Sequence, residues 1–512
     1  IVSGKRLVFG YLGIFIMIIG AIIFSPMILY IFYPEEAEST WLGFFLSGTF
    51  TITVGFILSL LIFKKETARL QNHEDIVLVL LTWIAIIIFG ALPYLFLEDF
   101  HMNFFKCLFE STSGFSTTGF SVINDYNAIP NVYFFYRSLT LFVGGIGLFL
   151  ILNSAISDKF NMRLYVAEGH VDKLIPNIVK SARLILTIYV IYVVFGTNIL
   201  FGIGQIGDTK ISYFEAFNYT ISALTCGGFG MNPNSIGQYN SVGVETIIEI
   251  LMVLGCTNVL VNYNLIRGKF KNVYHNVETK IMIFYLIILV PLAGIILNYA
   301  NSSSIGDSLL SINSSETWRA STFMFISSFT TAGLSNFSII SGLTSLTYLG
   351  FPFLLLIIIV SNIGGGTNSL SGGIKMLRMA YITKGSYFFF ADNLANKHEV
   401  RTHYIEKNGK KIMFSYSDFI SSVVYLVVYL ALILLGTFIF TLYGYPIFES
   451  FYDASASLSN TGMSIGLIGT NSKNGVLMTS AILMLLGRLE IYSLFYSLIL
   501  LANKFKREGS KI

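Results

Sequence analysis

The sequence predicts an all-α integral membrane protein with four pseudo-symmetric helix–pore loop–helix repeats around a central pore, preceded by an extra pair of transmembrane helices. Composition is the first observation: 54% of the 512 residues are hydrophobic and only 12% are charged, whereas a soluble domain carries about 25% charge. The second is a series of apolar runs of the roughly 20 residues that a helix needs to cross a bilayer. The third is a short glycine-bearing loop that occurs four times.

The apolar runs predict ten spanning helices, which cover residues 7–32, 41–63, 75–97, 132–157, 183–205, 243–266, 278–299, 346–380, 416–443 and 475–503. We interpret the first run as a retained span rather than a signal peptide, because it is too long and lacks a small-residue cleavage site. This order predicts an extra helix pair over 1–70 and four repeats over 71–160, 161–270, 271–395 and 396–512.

The basic residues are distributed unevenly on this map. Most of the 32 Lys and Arg residues fall at the two termini or in the segments between repeats. The positive-inside rule therefore places both termini and every inter-repeat linker in the cytoplasm, so all four glycine loops face outward.

The four glycine loops have related sequences, STTGF, LTCGG, TTAGL and SNTGM. We name them loop 1 (116–120), loop 2 (224–228), loop 3 (330–334) and loop 4 (459–463), and they align on Gly119, Gly227, Gly333 and Gly462. Each follows a moderately apolar segment that is too short to span, at 103–112, 213–224, 317–328 and 446–458. Such segments are typical of re-entrant helices, whose negative C-terminal dipole favours a cation.

The loops have the composition of a selectivity filter. Backbone carbonyls can replace the water around a potassium ion, and glycine allows the dihedral angles that this needs. No carboxylate lies in the loops, which favours a monovalent cation, and glycine in all four favours K+ over Na+. Ordinary Gly/Ser/Thr helix connections are the alternative interpretation. The predicted K+-binding residues are Thr117, Thr118, Gly119, Thr225, Cys226, Gly227, Thr331, Ala332, Gly333, Asn460, Thr461 and Gly462.

A gate is predicted where the long run 346–380 is interrupted by the sequence GGGTNSLSGG at 364–373. Backbone freed from a helix is tolerated at membrane depth only in protein or beside water, so this segment should line the pore. A structural kink is the alternative. The candidate gate residues of this segment are Gly364, Gly365, Gly366, Gly372, Gly373 and Lys375. Lys375 and Arg378 are equally consistent with a positive-inside helix end.

Arg488 is predicted to face the pore as a barrier to cations, because a basic side chain inside a span is costly against lipid. A buried ion pair with another helix is the alternative.

Several stretches resemble one known family. These are FESTSGFSTTG at 109–119, GGIG at 144–147, GRLEI at 487–491 and the extra pair of helices. They are similar to the Trk/Ktr/HKT superfamily of potassium transporters, TrkH type. The resemblance implies K+ uptake across the bacterial cytoplasmic membrane and an intramembrane gate loop near Arg488. It also implies a homodimer and a cytosolic nucleotide-binding ring of the TrkA type, whose ligand would be ATP/ADP or NAD. Cys226 and residues 460–463 depart from the family pattern.

Other functions are less favoured. A secondary carrier would show inverted repeats and midplane carboxylates, and the six scattered histidines give no catalytic motif. No enzyme activity, nucleic-acid partner or cofactor is therefore expected on this chain, and any nucleotide belongs to the partner. A Na+/K+ or H+/K+ symporter and a less selective monovalent cation channel remain alternatives. The basic linkers 158–182, 267–277 and 381–415 suit lipid headgroups or an acidic regulator, and a turn is predicted at 407–411.

Overall fold

The computed structural model describes residues 4–61, 74–97, 102–123, 125–147, 178–206, 210–303, 314–336, 349–394, 401–407 and 410–489. The first helices are α1 (Gly4–Phe24), α2 (Ala37–Ser59), α3 (Glu74–Gly90), α4 (Phe104–Phe115), α5 (Asn131–Ile146), α6 (Ile178–Gly204), α7 (Tyr213–Leu224), α8 (Val242–Cys256), α9 (Val259–Ile266) and α10 (Phe270–Tyr274). They are followed by α11 (Val277–Ser303), α12 (Ser314–Phe329), α13 (Phe351–Ile363), α14 (Met376–Asn393), β1 (Tyr404–Lys407), β2 (Lys410–Met413), α15 (Tyr416–Leu442), α16 (Ile447–Leu458) and α17 (Asn474–Arg488).

The chain divides into two compact units. Unit 1 comprises residues 1–116, 120–184 and 468–512, and unit 2 comprises residues 117–119 and 185–467. Unit 1 therefore contains α1 to α5 and α17, whereas unit 2 contains α7 to α16 and all four glycine-loop turns.

Within unit 1, α1 and α2 pack backbone against backbone at glycines. A Cβ atom on Gly13 would lie 2.5 Å from the Ser59 nitrogen, and one on Gly55 would lie 2.7 Å from the Gly13 carbonyl oxygen. Small residues at such crossings allow the close approach that supports helix association in membranes. The extra helix pair is thus held together by glycine contacts.

Within unit 1, polar side chains form hydrogen bonds with backbone groups at the ends of helices. The Tyr136 hydroxyl donates to the Gly90 carbonyl at the end of α3, at 2.8 Å. The Glu36 carboxylate accepts the first backbone N–H groups of α5, from Asn131 at 2.9 Å and Val132 at 3.0 Å. Helix termini leave such groups without partners in the helix, and a carboxylate is favourable at an N-terminus.

Unit 2 carries the single hairpin among the described residues. β1 and β2 pair antiparallel, with Lys407 opposite Lys410, so the chain reverses where a turn was predicted at 407–411. Ile405 and Phe414 from the hairpin region are buried together with Val277 of α11 and Ala380 of α14. The hairpin is thereby fixed to the beginning of α11 and the middle of α14.

The predicted spans agree with the structure in part. Six described helices are long and apolar enough to cross a membrane. The run 243–266 was predicted as one spanning helix, but the structure divides it into α8 and α9, which are bent by 117° relative to each other. Hydropathy cannot detect this break, in which the Asn258 side chain accepts from the Leu260 N–H at 2.9 Å and starts α9 anew.

The other long runs are also interrupted or incompletely described. The run 346–380 divides into α13 and α14, as its glycines predicted. α5 ends at Ile146 and α17 at Arg488, and the remainder of the predicted spans 132–157 and 475–503 lies almost entirely outside the described residues. Three of the four repeat boundaries also lie outside them, so the positions of these boundaries stay a prediction.

The α1–α2 contact predicts a difference between two glycine-to-alanine variants. Gly13→Ala should lower the thermal midpoint of the detergent-solubilised protein, because the new methyl group meets backbone atoms and overpacking costs about 1–3 kcal/mol. Gly202→Ala on α6 is the control, since nothing lies within 4 Å of its Cβ position. Equal midpoints for the two variants would contradict the glycine contact.

Candidate functional site

Each of the four short helices α4, α7, α12 and α16 ends in the same left-handed turn. The second residue after each helix has a positive φ: Thr117 at 56°, Cys226 at 52°, Thr331 at 57° and Asn460 at 56°. This conformation costs a non-glycine residue roughly 1–2 kcal/mol, and a β-branched residue seldom adopts it. Such strain persists only where the surrounding structure imposes it, which is common at functional sites.

The turn is closed by a repeated backbone hydrogen bond. In loop 2 the Gly227 N–H donates to the Ser222 carbonyl at 2.9 Å, and in loop 3 the Ala332 N–H donates to the Ser327 carbonyl at 2.8 Å. In loop 4 the Thr461 N–H donates to the Ala456 carbonyl at 3.0 Å. This is the Schellman pattern of a helix C-terminus, and it directs the chain sharply away from each helix.

A glycine follows two residues after each left-handed residue. These glycines also have positive φ angles: Gly119 at 91°, Gly228 at 70°, Gly333 at 74° and Gly462 at 72°. The equivalent residue in loop 2 is therefore Gly228, and the alignment on Gly227 was wrong by one position. Two consecutive glycines made both registers possible in the sequence, and the left-handed Cys226 decides between them.

The four loops contact one another in a closed cycle within unit 2. A Cβ atom on any of the four glycines would lie closer than 3.0 Å to a carbonyl oxygen of another loop, which real side chains essentially never do. The glycine–carbonyl pairs are Gly119 with Gly227, Gly228 with Ala332, Gly333 with Thr461 and Gly462 with Thr118. In every pair the carbonyl belongs to the residue that precedes the glycine of its own loop. The carbonyl of each loop can therefore occupy its position only because the glycine of the neighbouring loop has no Cβ atom.

The side chains of the predicted ion-binding residues mostly hold the loops in place. The Asn460 amide donates to the Thr118 hydroxyl at 2.9 Å and joins loop 4 to loop 1. The Thr225 hydroxyl donates to the Ile221 carbonyl of its own helix at 2.8 Å. The loop side chains therefore differ in their partners, and the groups that all four loops have in common at equivalent positions are backbone carbonyls.

A buried carboxylate that the sequence analysis did not assign to the site supports loop 1. Glu110 accepts from the Ser121 hydroxyl at 3.0 Å and from the Val122 N–H at 3.1 Å, and it pairs with Arg137 at 3.2 Å. Both side chains of the ion pair are at most 2% exposed. Burying one partner without the other would be strongly unfavourable, so the pair fixes the chain where it leaves the loop.

The same support recurs in loops 4 and 2. Asp453 accepts from the Ser464 hydroxyl at 2.6 Å and from the Ile465 N–H at 3.2 Å. In loop 2 the Tyr219 hydroxyl accepts from the Met231 N–H at 3.3 Å. Each of these supporting residues stands nine positions before its loop glycine, as Glu110 does. That spacing is a sequence signal, but the residues that carry it lie outside the loops from which the ion-binding residues were predicted.

The predicted gate segment, residues 364–373, lies between α13 and α14, and all of its residues are buried. The Gly366 N–H donates to the Cys256 carbonyl at 2.8 Å, and the Leu370 N–H donates to the Gly255 carbonyl at 3.1 Å. Those carbonyls belong to the last turn of α8, where helix partners are missing. The N–H groups of the gate segment between α13 and α14 therefore form hydrogen bonds with the carbonyl groups at the end of α8.

This gate segment also contacts the loops directly. The Gly372 N–H donates to the Thr331 hydroxyl of loop 3 at 2.8 Å. A Cβ atom on Gly372 would overlap the Ser459 carbonyl oxygen of loop 4. The segment thus lies against loops 3 and 4 in this conformation.

Glu278, in the first turn of α11, holds the other side of the gate segment. One carboxylate oxygen accepts from the Thr367 N–H at 3.2 Å and from the Thr367 hydroxyl, and the other accepts from the Asn258 amide at 2.9 Å. Glu278 is only 4% exposed. Glu278 was not predicted from the sequence, because an acidic residue in the first turn of a helix is a common feature.

The two predicted basic gate residues have carbonyl partners. The Lys375 ammonium donates to the Ser371 carbonyl of the gate segment at 2.5 Å. Arg488 donates to the Gly144 and Gly145 carbonyls at 2.5 and 2.6 Å, both within unit 1. Arg488 thus lies at the C-terminal end of α5, where a cation is favoured by the helix dipole.

Comparison with known proteins identifies a family. A family model described as "TrkH: Cation transport protein" matches residues 42–506. An uncharacterized cation transporter of Methanocaldococcus jannaschii is 27% identical over 94% of this chain and 92% of that protein. The Trk system potassium uptake protein TrkH of Escherichia coli K12 is 28% identical over 87% of this chain and 88% of that protein.

A solved structure supports the fold. The potassium transporter TrkH from Vibrio parahaemolyticus superposes with a TM-score of 0.79 at 20% identity, covering 96% of this chain and 98% of that one. The prediction of an all-α membrane protein with four pore-loop repeats and an extra helix pair is confirmed, as is the prediction of a non-enzymatic transporter. The chain belongs to the TrkH family of cation transport proteins.

Proposed function

We propose that this protein takes up potassium ions through the cycle of four loops. The observation that carries the proposal is that each loop glycine faces a backbone carbonyl of the neighbouring loop. Four carbonyls at equivalent positions, with no carboxylate among the loop residues, suit a monovalent cation that sheds its water. The name of the Escherichia coli relative, a potassium uptake protein, favours K+ as that ion.

In this proposal the carbonyls of Thr118, Gly227, Ala332 and Thr461 are the principal ion ligands, and the side chains of Asn460 and Thr225 keep their loops in place. Glu110 and Asp453 hold the backbone beyond the loops rather than the ion, since their oxygens already accept hydrogen bonds there. This distribution keeps the ring uncharged, which distinguishes it from the carboxylate-rich sites that divalent ions prefer.

The gate segment would control passage of the ion. In the present conformation it lies against loops 3 and 4 and is held by Glu278 and Lys375, so we assign this conformation to the closed state. Opening would require the Thr331 and Glu278 hydrogen bonds to break together. Arg488 would act as a positive barrier, and its bonds to the α5 carbonyls would keep it in position.

The cellular arrangement is part of the same proposal. The charge distribution favours a cytoplasmic membrane location with both termini inside. The resemblance to the Trk/Ktr/HKT superfamily implies a homodimer that works with a cytosolic regulator of the TrkA type, on which ATP/ADP or NAD would bind. The basic inter-repeat linkers would then contact this regulator or anionic lipid.

A selectivity measurement tests the ring. Gly228→Ala should reduce the Rb+/Na+ permeability ratio in proteoliposomes roughly tenfold, because overpacking of about 1–3 kcal/mol displaces the Ala332 carbonyl. Gly230→Ala is the matched control, since the nearest atom to its Cβ position is 3.5 Å away. An unchanged ratio in Gly228→Ala would refute the proposed ring.

A second measurement tests the Glu278 contact. Glu278→Ala should raise unregulated Rb+ flux about tenfold, because buried groups left without partners cost about 1–3 kcal/mol each in the closed state. Glu278→Gln should have a smaller effect, since it retains an oxygen that can accept from Thr367. The exposed Glu38→Ala controls for loss of a carboxylate. If both alanine variants match the parent protein, Glu278 does not hold the gate.

A third measurement compares two threonines at equivalent positions. Thr331→Val should increase basal Rb+ flux, because the Gly372 N–H loses its acceptor and the gate segment is released. Thr117→Val should leave flux unchanged, because the Thr117 hydroxyl has no hydrogen-bond partner within the described part of the chain. Equal fluxes in the two variants would show that the Thr331 contact does not restrain the gate segment.

A further inference from the structure

A cavity of about 380 Å³ opens beside the β-hairpin in unit 2. Three structural elements contribute lysines to its lining: Lys280 from the first turns of α11, Lys384 from α14 and Lys411 from β2. The remaining polar lining residues are Thr402, His403, Tyr404 and Glu406. These three lysines come from separate elements and line one cavity, which distinguishes them from a row of surface lysines on one helix.

The positive charge of the cavity is only partly neutralised. Among the described residues that line the cavity, Glu406 is the one carboxylate, and it already pairs with Lys280 at 2.5 Å and with His275 at 3.6 Å. Within the described ranges, Lys384 and Lys411 form no ion pair. Burial lowers the pKa of Lys384, and the charge of Lys280 lowers it further while Glu406 opposes this effect. Holding these groups together is unfavourable, and an anion in the cavity would relieve it.

The walls of the cavity are fixed before any ligand arrives. The His403 ring stacks on Phe388 with ring centroids 4.0 Å apart, and its Nε2 lies 2.9 Å from the Asp392 carboxylate. Buried Ile405 and Val277 attach the hairpin to α11. A preformed concave site loses little freedom when a ligand binds.

We propose that this cavity binds a phosphate group, with Lys280, Lys384 and Lys411 as its charged ligands. Lysine ammonium groups bind phosphate as point charges and need no planar bidentate geometry. The phosphate could belong to a lipid headgroup, because α11 begins its apolar span at Val277, or to a soluble phosphate compound. The two sources share the same recognition chemistry.

The position of the cavity links it to the gate segment. Lys280 stands two residues after Glu278 on α11, and Lys384 lies on α14, the helix that begins directly after the gate segment. A phosphate held between α11 and α14 would stabilise the present conformation, since a ligand favours the state that it binds best. Binding should therefore lower ion flux, and this consequence rests on the proposed function of the loops and gate.

Direct binding tests the site independently of transport. The full chain in neutral-lipid nanodiscs should be titrated calorimetrically with inorganic tripolyphosphate, and separately with short-chain phosphatidylglycerol. At least one should bind, and Lys384→Met should bind it about tenfold more weakly through loss of one charge-assisted hydrogen bond. Lys411→Met, on the hairpin, should show the same loss, whereas Lys271→Met on α10 should not. Tripolyphosphate binding alone indicates a soluble ligand, and phosphatidylglycerol binding alone indicates a lipid.

The outcomes separate this site from the transport proposal. No binding of either probe to the parent protein, or binding by Lys384→Met and Lys411→Met that is as tight as binding by the parent protein, would overturn the phosphate site whatever the ion flux. Binding that is lost in both variants supports the site even if the loops prove not to select potassium. Rb+ flux should then fall when the bound probe is present, and unchanged flux would reject only the link to the gate.

Discussion

The structure of unit 2 depends on the absence of a side chain at four places. At Gly119, Gly228, Gly333 and Gly462 a neighbouring carbonyl oxygen lies where a Cβ atom would otherwise clash. To bring these carbonyls there, each short helix must end in a left-handed turn, even where the residue is threonine or cysteine. A related close contact occurs in α8 and α5, the helices that follow loops 2 and 1. A Cβ on Gly255 would overlap the Leu224 carbonyl oxygen in unit 2, and the same relation holds between Gly144 and Phe115 within unit 1.

The polar groups around the loops stabilise the backbone without adding charge to the loops themselves. Carboxylates stand nine residues before the glycine in loops 1 and 4, and each accepts the N–H of the third residue after that glycine. In loop 2 a tyrosine, Tyr219, stands in place of the carboxylate, and its hydroxyl accepts the equivalent backbone N–H, that of Met231. Fourfold similarity ends below the loops, where the gate segment, Glu278 and the broken α8 form one hydrogen-bonded assembly.

Composition and repetition were sufficient to predict the fold class, the short helices and the interruption at 364–373, because each has a strong local signature. The break at Thr257 was not predicted, since the run 243–266 is apolar overall and the part played by its polar residues Thr257, Asn258 and Asn262 depends on hydrogen bonds that form only in the folded chain. The choice between Gly227 and Gly228 depends on a dihedral angle that two adjacent glycines leave open. Glu278 was missed because its partners lie 20 and 89 positions away in the chain.

The most direct test of the loop cycle is to locate the ion itself. Crystals of the protein grown in Rb+ should be examined by anomalous diffraction at the rubidium edge. We expect an anomalous peak enclosed by the carbonyl oxygens of Thr118, Gly227, Ala332 and Thr461. Rubidium peaks elsewhere in the protein, with none between these four carbonyls, would contradict it.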